Sequence, residues 1–279
     1  MKKLVLVCVA LCLLFLGCEK EGVYNPSKKI RRISEQQQGD IKQVKQEWTW
    51  DKNLLTKIDY FYKNQPSYTE NLKYDSKNRI IKVEDYKYGD YYTITYNNNL
   101  ISKVEYYWDE VMEESYFYTY ENKKIAKIVY TSYDVKKSPK KDGFISLLIP
   151  KEIMNSINSC KEKSGTKGGD FIVTININYE GNNVSKIELM GEGVVNTYTF
   201  EQYDKKLNPF YYSFSPGGGT NLSKNNPGKQ ILKVVDDEGS FIITAEFEYT
   251  YDGNFPIEVV EKYALGGKTF RNTTFYEYK

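Results

Sequence analysis

A unit of about 22 to 24 residues recurs along this chain, and a fixed period constrains a fold more tightly than composition can. Each copy has an aromatic residue, a polar turn, a branched apolar residue, and a Lys followed by Ile or Val. The unit runs from Trp50 through Leu54 to Lys57-Ile58, and from Tyr74 through Ile80 to Lys82-Val83. It continues from Tyr96 through Leu100 to Lys103-Val104, and from Tyr120 through Ile125 to Lys127-Ile128. A fifth copy runs from Tyr179 through Val184 to Lys186-Ile187. Aromatic and Lys are seven residues apart in all of these but the Tyr74 copy, where they are eight apart. Weaker copies follow: Tyr203 to Pro209 keeps the turn, Lys233-Val234 keeps the exit strand, and Tyr251 to Ile257 closes the series.

The chemistry of one unit makes it a hairpin. Thr93-Ile94-Thr95-Tyr96 and Lys103-Val104-Glu105-Tyr106 alternate between two faces, as strands do. Ile94 and Tyr96 are expected to meet Val104 and Tyr106 on one face, and Thr95 to lie near Lys103 and Glu105 on the other. Asn97-Asn98-Asn99 between them tolerates the positive φ of a tight reversal. The pattern predicts turns at 51–53, 75–79, 97–99, 121–124 and 180–183. The fold class expected is all-β: a large antiparallel meander of Tyr-rich hairpins, curved as an open sheet or barrel-like. Lys followed two residues later by an acid recurs at Lys57/Asp59, Lys82/Glu84, Lys103/Glu105 and Lys186/Glu188. Such pairs share a sheet face and read as a solvated, charged surface.

Residues 1–17 read as an export signal: Lys2 and Lys3, an apolar run from Leu4 to Leu16, then Gly17. Phe15-Leu16-Gly17-Cys18 resembles the bacterial lipobox, which implies a mature chain beginning at a lipidated Cys18 and held to the outer membrane of the cell envelope by acyl chains. Residues 18–44 are poor in large apolar side chains and read as a flexible tether. The repetitive domain is placed at 45–279.

Composition excludes several chemistries. The chain has no His, which removes His-dependent triads, His-ligated metals and the usual neutral-pH proton shuttle. Of the four Cys, Cys8 and Cys12 fall in the signal and Cys18 takes the lipid, leaving Cys160 as a buried small apolar residue. The signal carries two of the 39 basic residues and none of the 37 acidic ones. The mature chain is therefore near neutral, and nucleic acid is not an expected partner. Tyr, at 27 of 279 residues, suits a sheet with one packed and one wet side.

The repeat breaks between about 135 and 170. Pro150, then Ile153, Met154, Ile157 and Cys160 on one face, predict a short helix over about 150–161 capping the sheet. Gly165–Gly169 and Gly217–Thr220 lack phosphate-loop spacing and read as loops. Asp236-Asp237-Glu238-Gly239 reads as a hairpin turn and not as a calcium loop. We expect no catalytic residues, no metal and no cofactor.

The repeat, with the lipobox and Tyr203-Asp204-Lys205-Lys206-Leu207-Asn208-Pro209, resembles YD-type repeats of bacterial surface proteins. It is similar to uncharacterised lipoproteins of the Bacteroidetes with a porin-like fold. The resemblance covers roughly residues 45–279 and implies a large meander curved toward a barrel; no functional residue carries over. The charged residues that punctuate the strands argue against a lipid-facing pore. Tyr92, Tyr107 and Trp108 are the ligand-binding candidates, as exposed rings able to stack on sugars or proteins. The expected function is a non-enzymatic binding or scaffold module for a glycan or protein ligand; the alternative is a carboxylate-based hydrolase of envelope or host glycans.

Overall fold

The computed structural model describes residues 26, 28–85, 87, 89–133, 153, 154, 156, 157, 160, 170–191, 193–211 and 222–279. The first quarter of the chain forms β1 (Ile30–Gln37), β2 (Gln43–Asp51), β3 (Leu54–Tyr62) and β4 (Gln65–Tyr74). Then come β5 (Ile80–Asp85), β6 (Tyr91–Asn97), β7 (Leu100–Trp108), β8 (Val111–Glu121) and β9 (Lys124–Ser132). Past the break lie β10 (Phe171–Glu180), β11 (Asn183–Gly191), β12 (Val194–Glu201) and β13 (Lys229–Asp236). The last strands are β14 (Gly239–Asp252), β15 (Phe255–Leu265) and β16 (Lys268–Tyr278). Each strand pairs antiparallel with the next, and β1 pairs with β16, so the sheet closes into a barrel of 16 strands.

The five predicted turns fall between strands where the repeat places them. Ile94 faces Val104 and Thr95 faces Lys103, as expected. Tyr96 instead opposes Ile101, and the partner of Tyr106 is Tyr92. A bulge is responsible, and it recurs. The register shifts at Trp50, Tyr74, Tyr96, Tyr120, Tyr179 and Tyr251, immediately beside each repeat aromatic. A bulge sharpens local twist and re-aims its side chain.

Three of these re-aimed rings share a task with Tyr203 and Tyr278. Trp50 Nε1 donates to the Ile30 carbonyl at 2.7 Å, Tyr74 Oη to Leu55 at 2.6 Å and Tyr96 Oη to Ile80 at 2.9 Å. Tyr203 reaches Val184 and Tyr278 reaches Pro256, each at 2.7 Å. In every case the ring ties the end of a strand to the first residues of the strand before it. Replacing Tyr96 by Phe is expected to cost about 0.5–1.5 kcal/mol, the worth of one such bond. Urea unfolding would check this, and an unshifted midpoint would show the hydroxyl to be idle.

These ties gather at one end of the barrel, the end where β1 begins and β16 stops. The described parts of the connection from β12 to β13, residues 202–211 and 222–228, lie against it. Asp204 N donates to Asn226 O, Leu207 N to Asn254 O and Lys224 N to Asn182 O. Phe210 reaches Trp48 and Tyr276. Tyr203–Pro209 is thus part of a cap rather than a hairpin turn. The opposite, distal end carries the turns at 63–64, 109–110, 237–238 and 266–267, the third of these at the predicted Asp237-Glu238.

Among the described residues, apolar side chains occupy the interior along β1–β12. Leu55, Ile58, Val104, Ile128, Tyr130, Val173, Ile175, Ile187 and Leu189 are wholly buried and belong to one apolar cluster. Ile153, Met154, Ile157 and Cys160 are helical and join the same cluster. Ser156 Oγ lies 2.6 Å from Tyr198 Oη, and Met154 Sδ is 3.7 Å from Tyr116 Oη. Instead of capping the sheet, the helical segment lies among its inward side chains. The expected tether also ends sooner than residue 44. Ile30–Gln37 is a strand, with Ile30 and Ile33 buried and Arg32 paired to Glu47 and Glu277 across its neighbours. Residues 1–17, Cys18, Pro150, Gly165–Gly169 and Gly217–Thr220 lie outside the described residues.

Candidate functional site

The outward side chains are charged and paired. Lys57–Asp59 (2.7 Å), Lys82–Glu84 (2.8 Å), Lys103–Glu105 (2.8 Å) and Lys186–Glu188 (2.7 Å) bridge along their own strands, and Lys73 reaches Glu84 across strands at 2.6 Å. Hydrogen bonds from Lys73 and Lys82 hold the Glu84 carboxyl below its usual range. Most of the large apolar side chains left exposed sit beside distal turns: Ile41, Tyr62, Val111, Met190, Ile242 and Leu265 are examples.

The three candidate aromatics do not form one platform. Tyr92 packs inward against the core and tilts on Tyr106, 4.9 Å between centroids. Tyr107 stacks on Tyr91 at 4.9 Å and 11°, on the opposite face. Lys82 Nζ sits 3.8 Å from the Tyr91 ring, and donation from Tyr91 Oη to Glu110 pushes that phenol up to about 12. Trp108 is half-buried where β7 meets the 109–110 turn. Strand alternation separates Tyr92, paired with Tyr106, from Tyr107, paired with Tyr91.

The concave feature lies one hairpin away. A cleft of about 450 Å³ opens at the distal tip of the β3–β4 hairpin. Tyr60 and Tyr68 form its aromatic wall, with rings 4.3 Å apart and 7° from parallel. Phe61 and Pro66 add apolar lining, while Asp59, Ser67, Thr69 and Lys87 supply polar groups. Each is already positioned. Tyr60 Oη donates to Glu70 at 2.8 Å, Thr69 Oγ to Asp59 at 2.7 Å and Lys87 Nζ to the Ser67 carbonyl at 2.8 Å. Lys63 and Asn64 turn the hairpin with φ of 49° and 59°, so Tyr60 pairs with Tyr68, and a bulge offsets the partners beyond them.

Behind Tyr68 lies a void of about 10 Å³ bounded by Glu70, Val83, Asp85, Asp90 and Tyr92, room for about one water. Phenols surround these carboxylates: Tyr106 donates to Asp90 at 3.1 Å, and Tyr116 and Tyr130 each donate to Glu114 at 2.9 Å. Among the described residues, no group of three or more Cys, Asp or Glu is arranged to hold a metal. The sequence signal that marks the cleft is the Lys63-Asn64 pair between two Tyr-rich runs, which fixes the facing of Tyr60 and Tyr68.

No protein-family model matches the chain, and no curated protein matches it in sequence. Solved structures do match in shape. A porin-like protein from Bacteroides uniformis aligns with a TM-score of 0.51 at 12% identity, over 90% of this chain and 98% of that one. The fold is a porin-like barrel. A second such protein, from Bacteroides vulgatus, aligns at 0.52 with 9% identity over 91% and 99% of the two chains. At these identities the likeness concerns architecture alone.

Proposed function

We propose that this porin-like barrel is a lipid-anchored module of the cell envelope that binds a ligand or scaffolds a partner without catalysis. One observation carries the reading: the polarity of the wall. A membrane-spanning barrel turns an apolar band about 25 Å tall toward lipid and polar residues toward its lumen. Here Lys–Asp and Lys–Glu pairs occupy mid-strand positions on the outside, and Ile, Leu, Val and Tyr fill the inside. Such a wall suits water better than lipid, and among the described residues the interior side chains are largely apolar.

The lipobox at Cys18 supplies the attachment in this reading. The tether enters β1 at the capped end, so the distal end faces away from the membrane. Ligand contacts then belong to the distal face, which carries the Tyr60/Tyr68 cleft together with Tyr107 and Trp108; Tyr92, packed in the core, is not among them. We expect the protein in the membrane fraction, Cys18→Ser in the soluble or uncleaved pool, and no conductance in planar bilayers. Ion conduction, or cleaved Cys18→Ser protein still fractionating with membranes, would refute the proposal.

A further inference from the structure

We propose that the cleft at the tip of the β3–β4 hairpin binds a short neutral saccharide, with one ring stacked against Tyr68. The inference rests on the binding-module reading and goes further by naming the site and the ligand class. Size comes first: about 450 Å³ lies within the range of roughly 300–1,000 Å³ typical of small-molecule sites. A pyranose presents a flat face of C–H groups and an edge of hydroxyls that both donate and accept. The cleft carries both characters, with Tyr60, Pro66 and Tyr68 as apolar lining and Asp59, Ser67 and Lys87 as polar lining.

Preorganisation supports the match, because groups already fixed lose little freedom on binding. The Tyr68 ring is held against Tyr60, and Tyr60 is pinned by Glu70. Lys87 is held at the Ser67 carbonyl and Thr69 at Asp59. The lining is not biased toward an ionic ligand, since its charged groups are already engaged, Asp59 with Lys57 and Thr69, and Lys87 at the Ser67 carbonyl. An aromatic peptide side chain is the poorer fit. It would cover the hydroxyl of Ser67 without satisfying it, and burying unpaired polar groups is costly.

The test uses the mature lipidated protein in detergent micelles, screened against neutral oligosaccharides, acidic oligosaccharides and aromatic peptides, with titration calorimetry on the hits. A neutral saccharide should bind with little dependence on salt. Its affinity should fall about 10-fold or more in Tyr68→Ala, a change of about 1.4 kcal/mol. Ser67→Trp, which fills the cleft without removing a core side chain, should abolish binding even where Tyr68→Ala folds poorly. Phe117→Ala, on the outer wall of β8, should leave affinity unchanged. Three outcomes would each overturn the assignment: no saccharide binding at all, binding restricted to acidic sugars or peptides, or loss in Trp108→Ala with Tyr68→Ala and Ser67→Trp intact. Failure of the anchored-module reading shows elsewhere, in the fractionation and conductance measurements.

Discussion

Raising the pH from about 9 to about 11 is expected to unfold this barrel in one cooperative step, because a free phenol ionises near 10. Burial first of all raises the pKa of Tyr60, Tyr74, Tyr92, Tyr96, Tyr116 and Tyr118 in the folded state. The same holds for Tyr120, Tyr130, Tyr179, Tyr249 and Tyr276. The direction of the linkage follows. A folded pKa above the unfolded one means that the unfolded chain releases protons first, so stability is intact below pH 10 and lost as the pH rises beyond it. At pH 11 each unfolded phenol gains about 1.4 kcal/mol by ionising. Across these rings the sum is roughly 15 kcal/mol, as large as the whole stability of a typical domain. Phenolate absorbance should rise in the same transition as circular dichroism is lost. A gradual phenolate rise near pH 10 with the β spectrum unchanged would contradict the buried placement of these rings.

Ile157→Asp is expected to cost about 4 kcal/mol or more, enough to unfold most domains. Ile157 has no exposed surface and packs with the inward residues of the strands. A carboxylate there must either lose its hydration or take up a proton, and both are expensive. Ile157→Ala should cost about 2–5 kcal/mol through the cavity it leaves. On the exposed outer face of β9, Lys127→Ala should change stability by less than about 0.5 kcal/mol. Denaturant midpoints of the three variants decide the matter. If Ile157→Asp behaved like Lys127→Ala, the helical segment would not be part of the core.

Local signals account for what the sequence made legible. The aromatic-to-Lys spacing sets each hairpin, and turns such as 98–99 and 122–123 form where Asn98 and Asn122 adopt φ of 56° and 50°. The period does not reveal the bulge beside each aromatic, which moves Tyr96 opposite Ile101. What escaped depends on distant partners. Ile30–Gln37 reads as too polar to order because its supports, Glu47 and Glu277 beside Arg32, lie on two other strands. The Ile153/Ile157 stripe predicts a helix buried on one side, but whether it lies over a sheet or within a closed one is decided by closure. The cleft escaped for a related reason: Tyr60 and Tyr68 face each other only once the 63–64 turn fixes their register.

The pairing of β1 with β16 bears on how the molecule is made. Ile30 is matched to Tyr278 and Gln37 to Asn272, so the first strand to leave the ribosome waits for the last. Until then every intermediate carries two open sheet edges, each a template for joining another chain. A stop codon late in the reading frame should therefore be as harmful as an early one, because losing β16 alone leaves both β1 and β15 open. Secretion in an unfolded state, followed by closure only when the whole chain has arrived, would suit such a ring. β1 begins and β16 ends side by side at the capped end, so a reporter fused after Lys279 would sit beside the start of β1 and far from the distal turns.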